Sequence, residues 1–355
     1  MRIMGGEQVK EAVAGCAAVL RTATDRDWEE VRAGRLTWSC RFTAGHITSD
    51  LVTYAAQLAG RAQDVYLAFD ITLDEEADNE EAVQGIELTG ALFAAAVDTA
   101  PRAVRAFHPW PFRSADREGF AAMGIAEVLL HTHDIAEGLG LAYEPSAELC
   151  EGVLTRIFPQ VQPGPAPWRT LLWATGRGDL PGRAPVTDWR WANNVVIPGE
   201  RLTLEGLTPA RATDLAQGGT GGFDWLDGGP FEGTRDAAGM LVKAYEAGQY
   251  RPEWGVFVLV RAEDGLAVGA MGFHSAPDAD GTVEIGYDLV AGARGHGYAT
   301  EALRSLADRT LARDDVSTFT AVIDRSNLPS QGVVTRAGFS RVAEDEQTYT
   351  YALTR

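Results

Sequence analysis

The hydrophobic period of this 355-residue chain changes once, near residue 194, and no single packed layer can satisfy both rhythms. Before the change, apolar residues recur three and four apart, as on one face of a helix. Val9, Val13, Cys16, Ala17 and Leu20 set the pattern within Glu7–Thr22. Thr43–Leu58, Glu80–Val97, Ser114–Gly138 and Ser146–Phe158 repeat it, which predicts helices that pack as a bundle. The run Asp74-Glu75-Glu76-Ala77-Asp78 reads as a solvated loop leading into the third helix, and residues 160–191, rich in Pro, Gly and Trp, as an ordered tail laid on the bundle.

After the change the residues alternate. Arg201–Glu205, Val256–Arg261, Leu266–Phe273 and Thr282–Val290 read as strands, with Glu263-Asp264-Gly265 as a turn between the second and third. In the last of these, Val283, Ile285, Tyr287 and Leu289 take one face and Glu284, Gly286 and Asp288 the other. A helix at about Gly297–Arg313, a strand at Thr318–Ile323, a short helix at Leu328–Ala337 and a strand near Thr348–Leu353 follow. The expectation is two domains: an all-α bundle over 1–194 and an α/β sheet domain over 195–355.

Charge narrows the function classes. The net charge is −19, divided as −10 up to Asn194 and −9 beyond it. Broad nucleic-acid or anionic-membrane binding needs clustered Lys and Arg, and neither half has them. An acidic field suits a cationic, amine-bearing small molecule. Three cysteines, Cys16, Cys40 and Cys150, make no disulfide framework; the opening residues lack the apolar run of a secretion signal, and no stretch is long enough to span a membrane. A reduced, cytoplasmic setting is expected; the sequence leaves the oligomeric state open.

The sharpest motif is Arg294-Gly295-His296-Gly297-Tyr298-Ala299-Thr300-Glu301-Ala302-Leu303, between an alternating strand and an amphipathic helix. Glycines let a ligand approach the backbone, and the first-turn amides of the helix have no partners within it, so the segment suits a diphosphate. A plain strand-to-helix turn would look the same in isolation. The context is richer: this half resembles the GNAT family of N-acetyltransferases, in its ribosomal-protein-acetyltransferase-like branch. The family's Arg/Gln-x-x-Gly-x-Gly/Ala pattern is met by Arg294, Gly297 and Ala299. Glu284-Ile285-Gly286-Tyr287, Asn327-Leu328-Pro329-Ser330, Arg336-Ala337-Gly338-Phe339 and Glu200-Arg201-Leu202-Thr203-Leu204 match in order.

The resemblance implies acetyl-CoA wedged between two splayed strands. Gly295, His296, Gly297, Tyr298 and Ala299 would hold the pyrophosphate, Tyr287, Asp288 and Leu289 would pair with the pantetheine arm, and Asn327 would touch the coenzyme. Direct transfer to an amine needs a base for the ammonium proton. Glu284 is the first candidate and His274 the alternative; either could instead be a surface or capping residue. Ser330 is the candidate acid for the departing thiolate, at a site where the family often places Tyr. Residues 218–236 are expected on the acceptor side, where Phe223, Asp224, Trp225 and Asp227 would suit a cation on a small polar molecule such as a natural product or antibiotic.

In the helical half, Glu127 and His131 lie four apart on one helix, and His46 sits on another. Two imidazoles and a carboxylate suit Zn²⁺ with an open position. This half resembles the N-terminal, DinB-like four-helix domain of mycothiol-dependent maleylpyruvate isomerase, through His46, Glu127-x-x-x-His131, Asp134, Gly138-Leu139-Gly140 and Leu172-Trp173-Ala174-Thr175-Gly176-Arg177. The resemblance implies His46, Glu127 and His131 as metal ligands, with Asp134 behind them. His133 is expected at the surface or behind the ligands, and His108 in a loop. Two other whole-chain readings stay open: a thiol-dependent isomerase or transferase with an auxiliary acetyltransferase half, and an acyl-CoA sensor without turnover.

Overall fold

The computed structural model describes residues 3–109 and 113–355, so Trp110 of the His108–Pro111 segment lies outside the described residues. The chain divides into two compact units, Met1–Asn193 and Asn194–Arg355.

The first unit is helical. Its helices are α1 (Gly6–Leu20), α2 (Cys40–Gly60), α3 (Asn79–Thr99), α4 (Arg117–Leu139), α5 (Ala147–Ile157) and α6 (Pro167–Ala174). A two-stranded ladder, β1 (Arg105–Ala106) with β2 (Ala115–Asp116), precedes α4. Side-chain oxygens of Ser39, Asp78, Asp116 and Ser146 cap α2, α3, α4 and α5, supplying acceptors for first-turn amides. Helices α1 and α2 each pack on both α3 and α4, and α5 rests on α4. Nearly every position of α4 from Glu118 to Ala136 is buried, including Glu118, His131 and Asp134, so polar side chains there must find partners inside the unit. Arg156 reaches Asp116 at 2.6 Å in the same interior. The tail is more regular than expected: it contains α6, whose Trp168 packs on Tyr143 and His133, and its Trp189 and Trp191 pack on Phe158.

The second unit is an eight-stranded mixed sheet with helices. Its elements are β3 (Val196–Pro198), β4 (Leu202–Gly206), α7 (Pro209–Ala216), α8 (Glu232–Glu246), β5 (Val256–Arg261), β6 (Ala267–Phe273), β7 (Thr282–Leu289), α9 (Tyr298–Leu311), β8 (Thr318–Asp324), α10 (Leu328–Arg336), β9 (Ser340–Glu344) and β10 (Thr348–Thr354). The strand order is β3-β4-β5-β6-β7-β8-β10-β9. Every neighbouring pair is antiparallel except β7 and β8. Four elements differ from the sequence expectation. Helices α7 and α8 occupy ground left to loops, because the glycines of residues 218–233 mask the pattern that α8 takes up after them. Strand β3 is three residues long, and β9 is exposed at all five positions, so neither carries an alternating signature. No helix among the described residues is long and apolar enough to cross a membrane.

Candidate functional site

Chain topology makes an opening in the second unit. The parallel pairing of β7 with β8 holds only at Thr282–Thr318, Val283–Phe319 and Glu284–Thr320. Past Glu284, β7 still pairs with β6 from Ile285 to Leu289, while β8 pairs onward with β10 to Asp324. The two strands therefore splay. Glu284 accepts from His274 N, and Val290 N donates to Val268 O, so even-numbered residues turn their peptide groups to β6. Backbone alternation turns Ile285, Tyr287 and Leu289 toward the gap. Of the three residues expected along the pantetheine arm, Asp288 thus needs correction. It pairs with Ala270, and its carboxylate accepts from Thr234 N at 2.9 Å, Thr234 Oγ1 at 2.6 Å and Ala270 N at 3.3 Å. It fastens the start of α8 to the sheet.

Helix α9 begins at the mouth of this gap. Gly295 and Gly297 hold φ of +80° and +83°, a region costly for any side chain with a Cβ, and Gly297 is an N-cap with no side-chain cap bond. Residues 294–297 are exposed while Tyr298, Ala299 and Thr300 of the first turn are buried, so it is the loop that presents its backbone to solvent at the positive end of the helix dipole. Arg294 donates Nε to Leu289 O at 3.2 Å and lies over the Phe231 ring, and the His296 ring stacks on Tyr298. Arg201 braces the loop. It donates to His296 O at 3.0 Å, pairs with Glu301 at 2.8 Å and covers the Tyr298 ring, while Glu301 also accepts from the Arg201 and Leu202 amides. The Arg201–Glu301 brace spans 100 positions of sequence, and no local pattern announces it.

The two candidate bases come together. His274 Nδ1 lies 3.0 Å from Glu284 Oε1, with both side chains partly exposed. His274 Nε2 points at Gly286, where a Cβ would stand 3.0 Å from it. On the opposite face, the Tyr287 hydroxyl donates to Ser330 O at 3.2 Å. Burial raises the Tyr287 pKa and keeps that hydroxyl protonated. Asn327 caps α10 by accepting from Ser330 N at 3.2 Å, which sets Ser330 in its first turn.

A cavity of about 460 Å³ adjoins this point, between α8 and strands β5–β7, with His274 and Gly286 on its wall. The four residues expected to bind the acceptor do not line it. Phe223 is 3% exposed and packs in the core against Trp225, beneath the Arg211 guanidinium. Trp225 bridges to Ala267 and donates Nε1 to Thr220 O. Asp224 gives its carbonyl to Ala267 N, and Asp227 accepts from Gly292 N at 2.7 Å, near the α9 loop. Aromatic and acidic composition suggested a cation site; Phe223 and Trp225 serve packing, Asp227 serves a turn bond, and Asp224 is exposed.

In the first unit, α2 places His46, Asp50 and Tyr54 four apart on one face, and α4 presents Glu127 and His131. One ligand atom from each of His46, Glu127 and His131 lies within 4.8 Å of the others. His131 Nε2 is 3.1 Å from Glu127 Oε2, and its Nδ1 is 3.0 Å from Asp134 Oδ2. Arg177 clamps Asp134 through Nε and Nη2 at 3.1 and 3.0 Å. That chain fixes the ring and aims Nε2 inward. Trp38 stands at 4.8 Å from the His46 ring and 6.0 Å from the His131 ring. Asp50 Oδ2 lies 3.2 Å from His46 Nε2. Asp50 was missed in the sequence, although its four-residue spacing from His46 was a usable signal. His133 packs on Trp168, and His108 is buried beside Tyr66.

Charges in this cluster are strongly coupled to burial. Burial pushes His131 down, but hydrogen bonds to Asp134 and Glu127 outweigh it and raise its pKa to about 9. Burial, then the His131 charge, lowers His46. Burial and the Glu127 charge push Asp50 up to about 8. Glu127 is disfavoured as an anion by burial, yet its bond to His131 and the surrounding positive charge hold it low. The protein's own thiols are buried, with Cys40 raised to about 11 and Cys16 and Cys150 to about 12, so none is a ready nucleophile.

Comparison with known proteins bears on the second unit. Residues 201–340 match the family model of the acetyltransferase (GNAT) domain. The uncharacterized N-acetyltransferase YjdG of Bacillus subtilis (strain 168) is 35% identical over 83 residues, which is 23% of this chain and 49% of that protein. The chain spans about half the length of the curated relatives it matches. A solved GNAT-family acetyltransferase from Bacillus anthracis is 19% identical, covering 45% of this chain and 98% of its own, with a TM-score of 0.34. A solved microcin C7 self-immunity acetyltransferase, in complex with acetyl-CoA and AMP, is 15% identical, covering 44% and 93%, with a TM-score of 0.33.

Proposed function

We propose that this chain, whose residues 201–340 carry a GNAT acetyltransferase domain, moves the acetyl group of acetyl-CoA to a primary amine by direct attack within a ternary complex. The observation that carries the reading is the splay of β7 from β8 beyond Glu284, opening beside the uncapped start of α9. The pyrophosphate lies on the amides of residues 295–299, and the pantetheine arm pairs with the gap-facing peptides of Tyr287 and Leu289, with Asn327 at its flank. That places the thioester near Ser330 and the Glu284–His274 pair.

His274 and Glu284 then act as one unit. Glu284 holds Nδ1, and Nε2 takes the ammonium proton directly or through one water. The neutral nitrogen attacks the thioester carbon, the N–C bond forms, and the C–S bond breaks as the tetrahedral oxyanion collapses. Ser330, with the Tyr287 hydroxyl beside it, supplies a proton donor to the leaving thiolate. Positioning of the two substrates supplies much of the rate. The net charge of −19 favours a cationic small molecule over nucleic acid as the partner. The test is release of free CoA with a panel of amines, alongside calorimetric titration of acetyl-CoA. Tight acetyl-CoA binding without turnover on any amine would turn the reading into an acyl-CoA sensor; no binding at all would remove it.

For the helical unit we propose a zinc or similar divalent ion on His46, Glu127 and His131, the reading favoured by the convergence of their ligand atoms. The donor set fits: two imidazoles, one carboxylate, and a ring nitrogen oriented from behind by Asp134 and Arg177. A bound ion would acidify a coordinated thiol or water. His46, Glu127 and His131 would supply the ligands, Asp134 orients the His131 ring, and Trp38 shields one side. This is the arrangement a DinB-like, thiol-dependent isomerase domain calls for, and mycothiol-dependent turnover retained without residues 196–355 would make that the main activity.

A further inference from the structure

The cavity beside His274 says what kind of amine fits, if the second unit transfers acetyl groups as proposed above. One wall is the inner stripe of α8, at Gly233, Ala237, Met240, Leu241 and Ala244. The floor on that side of the sheet is Ala270 and Gly272 of β6 with Val256 of β5, and Trp254 also stands in the lining. The polar groups in the lining are mostly spent. Asp288 gives its oxygens to Thr234 and Ala270 N, and Tyr250 donates its hydroxyl to Leu207 O. Arg251 donates to the Tyr250 carbonyl at 2.8 Å, and Gln249 stands exposed at the edge. His274 remains as the polar group at the end nearest the strand gap, and the missing side chain at Gly286 leaves its Nε2 uncovered.

We infer that the acceptor is a monoamine on an apolar body, aromatic or alkyl, with its nitrogen at His274 and its hydrocarbon between α8 and β6. The volume of about 460 Å³ is within the range of small-ligand pockets. A polyamine would bring a second charge against Leu241 and Ala244, where the carboxylate in the lining, Asp288, already has both oxygens taken by Thr234 and Ala270 N, and an aminosugar would bury hydroxyls against the same apolar wall. Both losses are large compared with what a rim contact returns. This replaces the sequence-based expectation of a small polar acceptor.

The experiment uses the full chain with acetyl-CoA and compares n-butylamine, n-hexylamine, 2-phenylethylamine, spermidine and glucosamine, reading kcat/KM from CoA release. Each buried methylene contributes about four-fold, so hexylamine should exceed butylamine by roughly 15-fold. 2-Phenylethylamine should exceed spermidine and glucosamine by at least about 100-fold. Met240 is exposed at the mouth, so Met240→Asp is expected to fold; it should cut the hexylamine value by about ten-fold with the acetyl-CoA Kd unchanged. Ala237→Phe should fill the cavity and raise KM for phenylethylamine more than for butylamine. A flat alkyl series, or spermidine or glucosamine as the better substrate, overturns the inference while leaving acetyl transfer standing. Acetyl-CoA bound with no turnover of the apolar amines also overturns it. Failure to bind acetyl-CoA overturns the reading beneath it.

Discussion

The two units concentrate chemistry in opposite ways. In the first, His46, Asp50, Glu127 and His131 sit close together at a half-buried to buried site, and each charge is held by another. In the second, the main feature is an interruption: backbone groups without strand partners, a helix start with no side-chain cap, and a His274–Glu284 pair half in solvent. A buried cluster must balance its own charges before any ligand arrives, so losing one member destabilises the fold. An open gap is built from backbone, so single side-chain changes there should alter ligand binding or rate and leave the fold intact. That contrast can be tested in steps.

The largest effect belongs to His274→Ala, expected to lower kcat for amine acetylation by about 100-fold or more while the thermal midpoint stays put. Glu284→Gln should lose less and shift the pH–rate profile, because it orients the ring; unchanged profiles in both would end the assignment of the base. Next is His131→Ala. It strips Glu127 and Asp134 of a buried partner and should cost about 3–5 kcal/mol of unfolding free energy in the first unit, with loss of bound zinc by elemental analysis. Wild-type protein holding no stoichiometric metal after growth and purification with zinc would break the proposed ligand set.

The pH dependence of the metal-free first unit comes third. His131, raised to about 9, and Asp50, raised to about 8, both keep a proton in the folded state that the unfolded chain gives up earlier. The His131 contribution is full below its unfolded value of 6.5 and is lost as pH rises through about 9. That of Asp50 is full below 3.8 and is lost as pH rises through about 8. Glu127 and Asp134, held low, work the other way and lose their contribution in acid. The unfolding midpoint of this unit should therefore fall between pH 6.5 and 9, and zinc should flatten the slope by taking the place of the protons. A midpoint rising over that range would contradict the cluster's charge balance. The smallest effect is Arg201→Ala, which frees the His296 carbonyl and the loop; acetyl-CoA should bind about three- to ten-fold more weakly by calorimetry.

What could be read from sequence follows the reach of each interaction. Five helices of the first unit, the His46–Glu127–His131 grouping and the 294–299 loop were visible because each rests on spacings of a few residues. The Arg201–Glu301 brace, the Asp288–Thr234 fastening and the Arg177–Asp134 clamp join distant segments, and only folding brings them together. Phe223 and Asp227 sit away from the cavity beside His274, for a different reason. Residue type was taken as role, when the segment's aromatics were needed for packing and Asp227 for a turn. The cavity beside His274 was invisible because α8, which forms its wall, starts inside a glycine-rich stretch.

The parallel pairing of β7 with β8 has a mechanical consequence. With only three rungs between β7 and β8, the left and right portions of the sheet are joined by a short seam. A bound pantetheine arm would add rungs where the seam stops, so the cosubstrate becomes part of the scaffold it sits in. Amides of Tyr287 and Leu289 should then exchange with deuterium slowly in the loaded protein and quickly in the empty one, making coenzyme loading a stiffening event for the whole unit.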